Sequence, residues 1–200
     1  QFDTFYHEHP RTYSYGSFVQ MASTLGTQLA GVEFPSRYGG NIRVFLGNSL
    51  HNDYTGIVDL NALELRESNF FGDFASLRKN IENWLVVKHK FLQEQFKKHG
   101  KLRAKAFPGR TAILVKLLGL DNSLISAVYE KPGSLKISHY LPGTRIQICS
   151  DDDLFNLPDQ SLPLLNLAWH IPQEIRHYLK EHKYTGEIID ILSADDFVAK

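Results

Sequence analysis

Between Leu102 and Leu192, short β-type runs alternate with helix-type segments, and this alternation constrains the fold more than any other feature of the chain. Leu102–Phe107 reads as a strand, Pro108-Gly109-Arg110 as a turn, and Thr111–Leu118 as a helix stopped at Gly119. Leu124–Tyr129 and Arg145–Cys149 read as further strands. Leu162–Trp169 is an unbroken apolar run, the pattern of a parallel strand buried on both faces. Pro172 suits the first turn of a helix reaching about His182, and Gly186–Leu192 closes the series as a last strand. Strands that alternate with helices predict an α/β fold with a doubly wound, mainly parallel sheet covered on both faces.

Upstream of this region the pattern differs. Apolar residues from Phe70 to Phe96, including Phe74, Leu77, Ile81, Trp84, Leu85, Phe91 and Leu92, recur at helical spacing. They predict one long amphipathic helix ending near Gly100, its aromatic stripe facing a core or a domain interface. Residues 47–61 are polar and turn-rich, the composition of a boundary. Before them, Ser17 is a fair N-cap for a short helix ending at Gly26. The strand-like runs Gln28–Phe34 and Asn41–Leu46 follow, with Pro35–Gly40 as a hairpin-like connection. A helix and two strands cannot bury a core alone, so residues 1–50 read as the end of a domain, 51–100 as a connecting segment and 101–200 as a domain of their own. The only methionine is Met21 and the sequence opens Gln1-Phe2-Asp3, so the expectation is a piece of a longer protein. The two upstream strands would then lack sheet neighbours, and self-association is expected.

Charge and composition narrow the function classes. Lys+Arg and Asp+Glu each number 22, so the formal net charge is zero and the basic surplus of a general nucleic-acid binder is missing. No apolar run approaches the roughly 20 residues of a membrane span. The single cysteine, Cys149, cannot form an internal disulfide, which fits a reducing cytoplasm.

Two places carry candidate chemistry. A dinucleotide fingerprint would put glycines or small residues at the turn after the Leu102 strand; here those positions hold Phe107, Gly109 and Ala112, so the first glycine is missing. Glu130 stands about 20 residues on, where the fingerprint places its ribose-binding acid. Arg110 beside a helix start supports an anion site, while a bare scaffold turn needs the same tight geometry. The second place is Tyr6-His7-Glu8-His9. In extended backbone Tyr6 and Glu8 share one face, and His7 and His9 the other. Such a set suits acid–base work, since histidine titrates near neutrality and a carboxylate raises its basicity. A solvated or structural role, or the start of a metal site, remains open, although no third ligand follows at a recognisable spacing. His170, His177 and His182 read as surface histidines, and Cys149 as a small buried hydrophobe.

Several strings, in order, resemble the carboxy-terminal half of bacterial nucleotide-sugar C-methyltransferases. Gln1-Phe2-Asp3-Thr4-Phe5-Tyr6-His7-Glu8-His9 resembles the family's active-site segment, and Tyr38-Gly39-Gly40-Asn41-Ile42-Arg43-Val44 its Gly-Gly hairpin. Tyr140-Leu141-Pro142-Gly143-Thr144 and Leu167-Ala168-Trp169 resemble two strings of its carboxy-terminal domain, while Phe107-Pro108-Gly109 replaces a Gly-Ala start. The resemblance implies a Rossmann-like carboxy-terminal domain over 101–200, preceded by the last helix and strands of a methyltransferase domain over 1–50. It implies S-adenosylmethionine as cofactor, bound mainly by a missing amino-terminal methyltransferase region, and a nucleotide-linked keto-sugar as substrate. It makes His9 the base, with Glu8 and Tyr6 as its companions, and puts Gly39, Gly40, Arg43 and Arg110 at the substrate; no metal is implied at these residues. The alternative is a non-catalytic module that binds nucleotide-sugars or serves assembly on the same scaffold.

Overall fold

The computed structural model describes residues 9–35, 41–47 and 59–197, which fall into two compact units dividing at Lys79 and Asn80. In the first unit α1 spans Tyr15–Thr24, β1 Gln28–Glu33, β2 Arg43–Gly47 and α2 Leu60–Ser68. Helix α1 starts earlier than the sequence suggests. Ser14 is the N-cap, and Ser17 is its capping-box partner at N3, each side chain accepting from the other's backbone N–H. Glu67 of α2 completes the cap, its two carboxylate oxygens accepting from the N–H groups of Tyr15 and Gly16 at 2.5 and 2.9 Å. The orphan donors of one helix start are thus satisfied by a carboxylate from another helix. Strands β1 and β2 pair antiparallel from Gln28↔Gly47 to Glu33↔Arg43, with a bulge between Leu29 and Gly31.

Helix α3 runs Phe70–His99. Its apolar stripe packs only in part. Trp84 and Leu92 are buried, with Ile81, Leu85, Phe91 and Phe96 packed around them, whereas Phe71 and Phe74 in the first turns are exposed. The stripe therefore acts as core from Ile81 onward. At its buried face, Asp196 accepts hydrogen bonds from Trp84 Nε1 and Lys88 Nζ, which clips the short 3-10 turn Ala194–Phe197 onto the helix.

The rest of the second unit is β3 (Leu102–Lys105), α4 (Thr111–Leu117), β4 (Ile125–Glu130), β5 (Gln147–Ser150), α5 (Asp151–Phe155), β6 (Leu164–Asn166), α6 (Pro172–Glu181) and β7 (Ile188–Asp190). The five strands form one sheet in the order β5-β4-β3-β6-β7, every neighbouring pair parallel. This is the expected doubly wound, Rossmann-like α/β arrangement. The chain moves outward in one direction from β3, then returns past it to β6, so the switch of direction lies between β3 and β6. Each sheet face has its own core. On one, Leu102, Ala104, Val128, Ile148 and Leu165 meet Trp84, Leu92 and Leu114; on the other, Ala127, Tyr129 and Leu164 meet Leu154, Ile175 and Leu179. Burial on both faces explains the unbroken apolar run at β6, where Leu167 and Ala168 stay buried after the ladder ends.

All four β3 residues are buried, including Lys105, whose side chain is 1% exposed and faces Asp151 at 0%. Lys105 Nζ donates to Asp151 Oδ2 at 2.9 Å and to the Tyr129 carbonyl at 3.2 Å. Burial pulls the lysine below its ordinary range, and the Asp151 charge opposes that shift. Removing one partner leaves the other charge buried alone, so Lys105→Met is expected to lower unfolding free energy by about 3–5 kcal/mol. Lys105→Met combined with Asp151→Leu should recover most of the loss. Urea unfolding of the three proteins checks this; a single variant within measurement error of the parent would contradict it.

Candidate functional site

In a doubly wound sheet the carboxyl ends of the strands flanking the switch of direction form a crevice, and here those ends belong to β3 and β6. The turn after β3 carries Ala106 to Arg110, and the turn after β6 carries Leu167 to Ile171. Thr111 Oγ1 donates to the Leu167 carbonyl at 2.7 Å, which ties the two turns together. Across them the Arg110 guanidinium lies 5.0 Å over the Trp169 ring, a cation–π arrangement that orients a cation only 9% exposed. On the β7 side, Asn166 donates to Asp190 at 2.7 Å and accepts from the Ala168 N–H, while Arg176 pairs with Asp190. That network fixes the chain direction leaving β6.

The turn after β3 is held from the β4 side. Ala106 N–H donates to the Tyr129 carbonyl, and Ala106 has φ +61°, a left-handed conformation that disfavours a residue with a Cβ. The next N–H, of Phe107, donates to Glu130 Oε1 at 2.8 Å. Lys136 donates to the Phe107 carbonyl at 2.5 Å and to the same carboxylate oxygen at 3.2 Å. Phe107 itself is buried in the core on the α3–α4 face. Beyond it, the N–H groups of Thr111, Ala112 and Ile113 donate to the carbonyls of Pro108, Gly109 and Arg110.

A second polar group lies around Lys105. Its ammonium is 5.3 Å from the Tyr178 ring centroid, and Lys131 approaches the same ring at 4.5 Å. Burial, with hydrogen bonding to and the charge of Asp151, pushes the Tyr178 phenol well above its ordinary value. Tyr178 and Phe155 each sit 4.4 Å from the His182 ring, so His182 is an aromatic neighbour at the end of α6. Half-buried Cys149 packs against this second core, and burial pushes its thiol up.

Of the residues singled out by sequence, Tyr6, Glu8, Gly39 and Gly40 lie outside the described residues. His9 is exposed at their start. Arg43 sits on β2 and pairs with Glu33 of β1, the arginine exposed and the glutamate partly covered. Arg110 lies buried in the turn after β3, with Trp169 beside it. Three further groups had not been assigned a role from sequence: Lys136, hidden in a turn-rich stretch; Lys105, hidden inside a strand; and Asp151. The last had a legible sign, since Ser150-Asp151-Asp152-Asp153 contains a capping box, with Asp153 accepting from the Ser150 N–H. Among the described residues, no three His, Cys, Asp or Glu side chains are grouped to hold a metal, and no helix is long and apolar enough to cross a membrane.

A family model described as C-methyltransferase C-terminal domain matches residues 36–191. No curated protein matches the chain.

The strained position supplies a direct check on the turn. Ala106→Gly removes the Cβ penalty and keeps the N–H to Tyr129, at some cost in unfolded-chain entropy, and should raise stability by about 0.5–1 kcal/mol. Thermal unfolding of parent and variant decides it; a less stable glycine variant would contradict the left-handed turn.

Proposed function

The chain belongs to the C-methyltransferase C-terminal domain family, and from that premise we propose that it forms the carboxy-terminal region of an S-adenosylmethionine-dependent C-methyltransferase acting on a nucleotide-linked keto-sugar. The observation that carries the reading is the family match over 36–191, which spans the whole five-stranded sheet. The Tyr6-His7-Glu8-His9 string supports it from outside the matched region.

The chemistry asks for a base beside a carbonyl. A keto group acidifies the hydrogen on the adjacent carbon, and a neutral imidazole can take that proton near neutral pH. In the proposal His9 is that base, Glu8 is its acidic companion, and the Tyr6 hydroxyl donates to the oxygen where enolate charge develops. The nucleotide end of the substrate carries phosphate charge. With a net charge of zero the protein has no long-range positive field, so local cations must hold that end. Within the first unit Arg43 is the candidate for that task, with Gly39 and Gly40 allowing close backbone approach, and within the second unit Arg110 is. S-adenosylmethionine is assigned as methyl donor on the family's chemistry alone. The described residues do not fit it at the β3–α4 turn, because Glu130, the acid placed to meet a ribose, is engaged by Phe107 and Lys136.

The test is methyl transfer by the complete polypeptide that contains these residues, supplied with S-adenosylmethionine and a nucleotide-linked keto-sugar. His9→Ala should lower turnover by about 10²–10⁴-fold with the fold intact by circular dichroism. Glu8→Gln and Tyr6→Phe should give smaller losses. Wild-type turnover in His9→Ala would remove the base assignment, and methylation at an oxygen or nitrogen would overturn the carbon-methylation reading.

A further inference from the structure

We infer that the exposed face carrying Tyr140, Arg145 and Gln147, at the outer edge of the five-stranded sheet, is a nucleotide-binding face on which Tyr140 stacks the base and Arg145 holds the phosphates. This deepens the reading above, in which the substrate carries a nucleotide, and rests on that reading for the choice of ligand.

The connection that carries these residues is the first observation. Parallel strands are usually joined through a helix. Here β4 and β5 are joined by residues 131–146, which form neither helix nor strand. A connection of that length without secondary structure is uncommon in a compact domain and is usually functional. This one is firmly held. The Thr144 N–H donates to the Leu141 carbonyl at 3.0 Å around Pro142 and Gly143, whose φ of +74° completes a type II turn. Thr144 Oγ1 donates to the same carbonyl and accepts from the Ile146 N–H. Beyond the turn, the Leu141 N–H donates to the Ile146 carbonyl and the Ile148 N–H to the His139 carbonyl. The chain thereby folds back antiparallel along the start of β5, with Tyr140 opposite Gln147.

That register decides which side chains share a face. Directly opposite residues point the same way, and so do residues two apart on one strand. Tyr140, Gln147 and Arg145 therefore lie on one face, and all three are exposed, Tyr140 at 61%. Leu141, Ile146 and Ile148 point the other way, into the core. The buried set anchors the connection, and the exposed set is left for a ligand.

Charge supplies the third observation. Residues 131–150 contain Lys131, Lys136, His139 and Arg145 but no Asp or Glu. Lys136 pairs with Glu130, and Lys131 lies over the Tyr178 ring. Arg145 is exposed, and no carboxylate among the described residues pairs with it. In a chain of zero net charge, an acid-free stretch is a local attractor for an anion. An aromatic ring on an open strand face takes a nucleobase without a cavity, because stacking needs only a π surface. The guanidinium matches a phosphate through parallel hydrogen bonds, and the Gln147 amide beside both can donate and accept at a base edge.

Uridine diphosphate and thymidine diphosphate are the probes, titrated into the 200-residue chain by calorimetry while backbone amides are followed by NMR. At least one should bind saturably and move the amides of residues 139–148. Tyr140→Ala and Arg145→Met should each weaken binding about tenfold, and Tyr140→Trp should retain it. These positions are exposed, so circular dichroism of the variants should match the parent. Inorganic pyrophosphate should bind more weakly than the diphosphates and ignore Tyr140→Ala. No saturable binding of either probe, amide shifts confined to other residues, or an affinity unchanged in both Tyr140→Ala and Arg145→Met overturns the inference. Binding lost in Arg145→Met but unchanged in Tyr140→Ala marks an anion patch and overturns the nucleotide assignment. A polyglutamate peptide that competes as well as the probes assigns the face to an acidic protein, and overturns it too. Methyl transfer to a nucleotide-linked keto-sugar by the complete polypeptide, with no diphosphate bound at this face, overturns the inference while leaving the reading of the reaction in place.

Discussion

The buried ion pair between Lys105 and Asp151 is the constraint to which the rest of the second unit is fitted. A central strand of a doubly wound sheet has no solvent on either face, and a lysine at its last position must find a counter-charge within the protein. Asp151 supplies it from the first residue of α5, so the ends of β3 and β5 are fixed relative to each other across β4. The same ammonium binds the Tyr129 carbonyl, and Tyr129 immediately precedes Glu130. Position 106, the next residue of the chain, also bonds to the Tyr129 carbonyl through its N–H. One buried charge thus sets where β3 stops and where the turn begins.

From that point the geometry of the crevice follows. The turn leaves β3 in a left-handed conformation at Ala106, meets Glu130 and Lys136 at Phe107, and delivers Arg110 to Trp169. Both backbone polar groups of Phe107 are therefore held by side chains from outside the turn.

Much of this fold was legible in the sequence where one physical signal dominated. Strand β6 showed as an unbroken apolar run because both sheet faces are covered, and α3 showed because its stripe repeats at the helical period over many turns. Helix α2 was not read, since none of its residues is buried and it has no apolar stripe to detect. Helix α5 was missed because its five residues are too few for periodicity, leaving only the Ser150–Asp153 capping box as a sign. Glu130 was found at the right distance along the chain, but spacing alone cannot say which N–H a carboxylate will meet. The packing of Phe107 and the reach of Lys136 decide that, and both are long-range facts. The proposed base and its companions were read from a local string, and of these only His9 falls among the described residues.

The central claim is that carbon–hydrogen bond cleavage beside a keto group begins at His9. It is tested most directly by incubating the complete polypeptide with a nucleotide-linked keto-sugar in deuterated water, without methyl donor, and following deuterium at the carbon beside the keto group by NMR. The account predicts enzyme-dependent exchange at that carbon, lost in His9→Ala and unaffected by withholding S-adenosylmethionine. Exchange that persists in His9→Ala at the parent rate would contradict it.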